Sequence, residues 1–323
     1  MHIAIILLNW NGKSDTLECL ASLESLDYSC YEIILADNGS SDGSLEEISI
    51  TYPHVTLIDN KINLGFAEGN NRAISYALTK GFDAIFLLNN DTVVDPHILQ
   101  ALSTWSQKNP NTIFGCRTYL YAQKTTLDHF GGIWNQQTAQ FDLIGYRKED
   151  ASFPSSTPIN LDYVCGCALF APTSIFKKVG FFDPRFFLFW EESDFCFRAK
   201  KLGYNLMICH EAKLWHKVSA SFTGGKPHTT YFWWRNRLLW IEKNLKWKEK
   251  CFVYFHSLLP EIFKLYRHYL VKSSTYYLLR LISSSFKQKQ EKLSYYKAAL
   301  CGVHHYLLRR FYQGPSWIFK KKT

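Results

Sequence analysis

The chain has nine cysteines but no Cys-x-x-Cys pair and no regular cysteine spacing. Cys165-Gly166-Cys167 is too tight for a finger-type zinc site, so the thiols read as reduced. Gly-x-Gly-x-x-Gly and Gly-x-x-x-x-Gly-Lys-Ser/Thr are missing too, which removes sequence support for dinucleotide and P-loop binding. Long apolar runs are absent. Ile3 to Leu8 has no basic segment ahead of it and Asn9 directly behind, the pattern of a first strand and not of a signal peptide. Later apolar stretches are broken by His256, Pro260 and Glu261, then by Lys272 and Arg280, short of the roughly 18 residues a spanning helix needs. Acid is scarce at that end: residues 226–323 hold 4 Asp/Glu against 20 Lys/Arg, a balance of +16, whereas residues 1–225 balance at −7. An acidic body with a basic tail points to two tasks, the tail facing a membrane surface or a nucleic acid.

What is present is organised around Ile85-Phe86-Leu87-Leu88-Asn89-Asn90-Asp91-Thr92-Val93-Val94-Asp95. Its apolar run reads as a strand buried on both faces of a sheet. It stops at two amides and a carboxylate, and a helix is expected with Asp95 as N-cap and Pro96 at its first position. Polar groups at the carboxyl end of such a strand sit where open α/β sheets bind ligands. Asp91 is a hard oxygen donor suited to Mg²⁺ or Mn²⁺ on a diphosphate, although Asn-Asp after a strand is more often turn chemistry.

The first half alternates strand and helix: strands at His2–Leu8, Glu32–Ala36 and Val55–Asp59, and a helix opening near Asp15 with Glu18 as a capping box. Polar segments follow these strands at Asn9, at Asp37–Ser44 and at Asn63–Arg72, so they should converge on one rim. Asp37 suits a base or ribose, and Gly39, Gly43, Gly65 and Gly69 permit close backbone approach. Gly131-Gly132 reads as a turn, and Asp142–Asn160 as a polar loop placed for acceptor recognition. After the aromatic run Phe186–Trp190, Glu191 starts a helix with Phe195, Ala199 and Leu202 as its buried stripe. Glu191, Glu192 and Asp194 in its first turn suit the helix dipole, which explains them structurally; the aromatic run would also desolvate a carboxylate and raise its pKa toward that of a general base. His216 follows a further strand, where a lone histidine is usually structural, and Arg235 lies in an aromatic and basic helix.

Seven segments, Asn9–Gly12, Asp37–Ser44, Asn63–Asn71, Leu87–Thr92, Gly166–Gly203, His216–Ser221 and Tyr231–Leu238, taken in this order, resemble a family 2 glycosyltransferase of the rhamnosyltransferase type. The resemblance covers about the first 240 residues, and Lys297–Arg310 resembles the family's closing helix. It implies an α/β GT-A fold, a mixed, mostly parallel sheet flanked by helices, as a catalytic domain over residues 1–240, with a basic helical region over 241–323. It implies that Asp37 meets the nucleotide, with Asn9, Asn63, Gly65 and Asn90 in the same donor site. Asn89-Asn90-Asp91 occupies the family's Asp-x-Asp position, so Asp91 would hold Mn²⁺ or Mg²⁺, His216 would complete that site, and Arg235 would steady the diphosphate. Glu191-Glu192 falls on the Glu-Asp motif whose second acid is the general base. Two departures stand out: Asn89 replaces the first acid of Asp-x-Asp, and Glu192 replaces an Asp, with Asp194 as the fallback base.

The expected activity is inverting transfer of a sugar from a nucleotide-diphosphate donor (dTDP-rhamnose or a UDP-sugar) to a hydroxyl of a saccharide acceptor, lipid-linked or free. The setting is bacterial cell-surface polysaccharide synthesis, in the cytoplasm or at the inner face of the plasma membrane. Aromatic and aliphatic residues such as Phe252, Phe255, Leu259 and Phe263 interleave with Lys264, Arg267 and Lys272, a pattern for peripheral membrane association or for packing on the catalytic core. A non-catalytic assembly partner is the alternative, in view of Asn89 and Glu192. A processive synthase is disfavoured by the missing Gln-x-x-Arg-Trp motif, and nucleic-acid binding by the acidic body and the lack of a recognition motif.

Overall fold

Successive residues of the first strand feed two different cores. In β1 (Ile3–Asn9), Ile3, Ile5 and Leu7 enter one apolar cluster while Ala4 and Ile6 enter the other. A strand buried on both sides needs an unbroken apolar run, which is why this segment carries no alternation. The computed structural model describes residues 1–153, 159–218, 226–280 and 287–319. After β1 come α1 (Lys13–Leu23), β2 (Tyr31–Asp37), α2 (Ser44–Thr51), β3 (Thr56–Asp59), α3 (Gly65–Lys80), β4 (Ala84–Asn89), β5 (Thr92–Val94) and α4 (Ile98–Lys108). Then follow β6 (Thr112–Leu120), β7 (Gln123–Leu127), β8 (Gly131–Asn135), β9 (Gln140–Ile144), β10 (Tyr163–Val164), β11 (Ala168–Pro172), α5 (Thr173–Val179), α6 (Glu191–Lys201) and β12 (Asn205–His216). The helical remainder is α7 (Pro227–Asn244), α8 (Trp247–Val253), a π-turn (Tyr254–Leu258), α9 (Leu259–Arg280) and α10 (Lys287–Leu307).

The main sheet runs β3-β2-β1-β4-β11-β6-β12-β5, with β7 beside β6. Its first four strands are parallel, so β1, β2 and β4 deliver Asn9, Asp37 and Asn89 to one edge. Beyond β4 the sheet is mixed: β11 is antiparallel to β4 and β6, while β12 is parallel to β6. A three-stranded sheet, β10-β8-β9, stands apart.

The chain divides into two compact units. The first holds Met1–Ile133, Phe141–Phe187 and Glu191–Ser219; the second holds Trp134–Gln140, Leu188–Trp190 and Ala220–Thr323. The helix bearing Arg235 therefore belongs to the second unit, whereas the sequence reading put it inside a first domain ending at residue 240.

Several local expectations are corrected. α1 begins at Lys13 with Gly12 at its N-cap and no capping box, because Asp15 is held by the Lys217 ammonium at 2.6 Å. Asp95 does not cap α4; its carboxylate accepts the His97 N–H at 2.9 Å in a local turn and the helix starts at Ile98. Gly131-Gly132 opens β8, where Gly132 pairs with Tyr163. The expected loop from Asp142 contains the end of β9 and a 3₁₀ turn at Asp150–Ser152, and residues 154–158 lie outside the described residues. Leu202 is exposed, not part of the buried stripe of α6.

Candidate active site

At the ends of β1 and β2 the polar side chains bind one another. The buried Asn9 amide donates to Asp37 Oδ2 at 2.8 Å and Ser44 Oγ at 2.7 Å, while its carbonyl accepts from the Thr16 hydroxyl at 2.9 Å. The other Asp37 oxygen accepts the Ser40 N–H at 2.8 Å, which fixes the loop after β2. Asn90 donates to the Thr16 hydroxyl at 2.7 Å and to Asn9 Oδ1 at 3.3 Å. Asn9 thus lies at the centre of a lattice joining three strand ends, with Asp37 and Asn90 as its neighbours. Asn63 accepts the Gly65 N–H at 2.9 Å, and Asn38 donates to the Gly65 carbonyl at 2.9 Å, which anchors the start of α3. Gly65 has φ +77°, and a Cβ there would overlap the Phe187 carbonyl. That carbonyl accepts the Phe66 N–H at 2.6 Å.

Asp91 lies two residues past the end of β4, and the pairing of His216 with Thr92 across β12 and β5 carries the imidazole to it. His216 Nε2 lies 3.2 Å from Asp91 Oδ1, and His216 Nδ1 lies 2.8 Å from Asp128 Oδ2. All three side chains are buried. Burial alone would lower the imidazole pKa, but hydrogen bonding and charge from Asp128 and Asp91 outweigh it and push His216 up to about 10. Asp128 is held below the ordinary carboxylate range: burial acts to raise it, and the hydrogen bond to His216 overcomes that. A carboxylate on Nδ1 is the usual way proteins orient a metal-binding histidine; without a cation the Nε2 proton bridges to Asp91, and a cation would bind there by displacing that proton. The donor set, a carboxylate oxygen and an imidazole nitrogen, fits Mn²⁺ or Mg²⁺.

Glu192 lies in the first turn of α6, packed on the turn between β10 and β11. A Cβ on Gly166 would come within 3.0 Å of the Glu192 Cγ. Glu192 Oε2 is buried without a hydrogen-bond partner among the described residues, and burial raises the carboxyl to about 7. Asp194 has its oxygen 2.9 Å from Arg198 Nε one helical turn on, a contact that holds it within α6. Glu191 is buried beside them. The Gly166 turn also reaches the Asp91 side of the rim. The Cys167 carbonyl accepts the Asn89 N–H at 2.8 Å, and Cys165 Sγ lies 3.4 Å from His129 Nε2, next in sequence to Asp128.

Arg235 is placed differently. Its side chain is fully buried in the second unit, donating to the Tyr312 carbonyl at 2.6 Å and to Asn236 Oδ1 at 2.9 Å, with its guanidinium carbon 4.8 Å from the Phe232 ring centre. The segment expected to continue from His216 to Ser221 is described only to residue 218. The sequence reading missed Asp128; its only signal was an acid followed by histidine ahead of Gly131-Gly132. Asp128, His129 and Cys165 bring their donor atoms within 4.8 Å of one another, but the Cys167 contact and burial hold the Cys165 thiol well above its ordinary pKa, so the group packs as neutral thiol and imidazole-bound carboxylate.

A family model described as Glycosyl transferase family 2 matches residues 4–179, more than half of the chain. The chain belongs to glycosyl transferase family 2. Among family 2 relatives it is 27% identical over 260 residues to the N-acetylglucosaminyl-diphospho-decaprenol L-rhamnosyltransferase of Mycobacterium tuberculosis, covering 68% of this chain and 82% of that one. It is 22% identical over 251 residues to the dTDP-rhamnosyl transferase RfbF of Shigella flexneri, covering 75% and 81%. The fold is GT-A, as in the mannosyltransferase of Pyrobaculum calidifontis in complex with GDP-Man and Mn²⁺, at a TM-score of 0.56 and 12% identity over 96% of this chain and 88% of that one. S. aureus TarS in complex with UDP-GlcNAc aligns at a TM-score of 0.54 and 13% identity, covering 97% and 93%. The expected rhamnosyltransferase-like family 2 membership and GT-A fold are therefore borne out.

Proposed function

We propose that this family 2 glycosyltransferase moves a sugar, with inversion, from a nucleotide-diphosphate donor to a hydroxyl of a saccharide acceptor. Rhamnose on dTDP or a sugar on UDP is the donor, and the acceptor is lipid-linked or free. The product is a bacterial surface polysaccharide built at the inner face of the plasma membrane. The observation that carries this reading is the pairing of Asp91 with His216 at 3.2 Å on the same rim as a buried Glu192 raised to about 7.

Asp37, Asn63 and the backbone at Gly65 line the nucleotide side, and Asn9 and Asn90 hold those strand ends in register. Asp91 and His216 would hold a divalent cation in exchange for the Nε2 proton, with Asp128 fixing the imidazole. Such a cation supplies charge neutralisation to the departing diphosphate. Glu192 takes the proton of the acceptor hydroxyl on Oε2 as that oxygen attacks the anomeric carbon from the face opposite the leaving group. One base and one displacement give inversion. Asp194 serves α6 through Arg198, and the engaged guanidinium of Arg235 serves the second unit in place of the diphosphate.

Glu192→Gln tests the reading. Turnover should fall on the order of 10²- to 10⁴-fold while donor affinity, read by calorimetry, stays within a few-fold. Retained turnover would remove Glu192 as the base. The second reading, a non-catalytic assembly partner, is motivated by Asn89 in the place of an acid; Mn²⁺-dependent hydrolysis of a nucleotide sugar would rule it out.

A further inference from the structure

The second unit carries an apolar stripe that nothing in the proposed chemistry uses. From the π-turn into α9, Phe255, Leu259, Phe263 and Leu270 are 73%, 49%, 71% and 61% exposed. Their spacing of four, four and seven residues puts them along one side of a helix. Phe252 and, at the start of α8, Trp247 extend the exposed apolar set toward the N-terminal end. Val253, Leu258 and Leu265 are buried instead, so the helix already has an inward face and the stripe is a second, outward one.

The charges beside the stripe name its partner. Residues 246–274 contain six Lys/Arg and two acids. Both acids are engaged: Glu249 accepts the Lys246 backbone N–H at 2.7 Å, and Glu261 pairs with Arg237 at 2.8 Å. Lys246, Lys248, Lys264 and Arg267 are exposed. A large outward apolar stripe with uncompensated cations beside it is the pattern of a helix lying in a lipid interface. A second copy of the same face would bring these cations against one another, which disfavours self-association through it. No helix among the described residues is long and apolar enough to cross a membrane.

We propose that α8 through α9 forms an in-plane anchor for an anionic lipid bilayer. Phe255, Leu259, Phe263 and Leu270 enter the acyl boundary while Lys264 and Arg267 meet the anionic headgroups. The anchor gives the proposed lipid-linked acceptor a surface to be met on, but lipid binding itself needs neither donor nor turnover, so the two readings fail separately.

Flotation of the full-length protein with phosphatidylcholine vesicles, with and without phosphatidylglycerol, tests this. The protein should float with the anionic vesicles, much less with the neutral ones, and added salt should release it. Phe255→Ser with Phe263→Ser should lower partitioning on the order of 100-fold with unchanged circular dichroism and donor affinity. Lys264→Glu with Arg267→Glu should lower it on the order of 10-fold or more, and only on anionic vesicles. Glu192→Gln should float like the wild type. A wild-type protein that stays unbound overturns the proposal, as does binding indifferent to both double variants. So does a dimer, seen by sedimentation, that the Phe255/Phe263 change dissolves without any vesicle binding.

Discussion

Glu192 carries its carboxylate on a long side chain, and the place it rests is Gly166. The missing Cβ leaves room for the Glu192 Cγ, and a methyl group there would stand 3.0 Å from it and 3.3 Å from the carboxyl carbon. Gly166→Ala should therefore displace the carboxylate while α6 stays formed, lowering kcat on the order of 10- to 100-fold with little change in thermal midpoint. Burial gives the same residue a pH signature. A base must be ionised to accept a proton, so log(kcat/KM) should rise with unit slope below about pH 7 and level above it. A profile already flat well below that value would mean that another group takes the proton. Asp128 acts at one remove, through the imidazole. Asp128→Asn should weaken Mn²⁺ binding on the order of 10- to 100-fold while leaving metal-free donor affinity nearly unchanged, as followed by titration calorimetry. No local pattern marks Asp128, because its partner His216 lies 88 residues after it, and Asp91, on the other nitrogen of that imidazole, lies 37 before it. Only sheet pairing brings them together.

At the scale of elements, the strands were legible and their ends were less so. β1, β2 and β4 are buried on both faces, and apolar continuity over several residues is a signal that few other environments produce. Helix starts were misread where a side chain had a better partner than its own helix: Asp15 goes to Lys217, and Asp95 to a local turn. The Tyr312 carbonyl that accepts from Arg235 lies 77 residues away, a contact no local pattern announces. The start of α3 shows how tightly one such end is built. Phe187, itself at φ 64°, turns its carbonyl onto the Phe66 N–H, and Gly65 makes the space for it. Gly65→Ala adds both a positive-φ penalty and a backbone overlap, so it should cost about 2 kcal/mol or more in denaturant unfolding, while Gly81→Ala, with open space around it, should cost only the smaller penalty for its φ.

For the whole molecule, the sequence divides by charge but the fold does not divide at one point. Residues 134–140 and 188–190, though from the middle of the chain, count with the second unit. There Arg237 donates to the Ala139 and Thr138 carbonyls at 2.8 Å, Asn236 donates to Leu188 and Phe189 at 2.7 and 2.9 Å, and Trp134 lies 4.5 Å from Trp240 ring to ring. A chain cut before α7 would keep those two segments and lose the α7 side chains that donate to their carbonyls and cover Trp134. It should unfold at a clearly lower temperature than the full chain by calorimetry, or collect in the insoluble fraction.

The same threading bears on how such a gene can change. One crossover that imported the helical part from a cousin would leave two short native passages upstream facing a foreign set of side chains. Three patches of coding sequence have to be inherited together for an exchange to yield a working descendant. Recombination between distant cousins should accordingly favour whole-gene replacement over a single splice near residue 220.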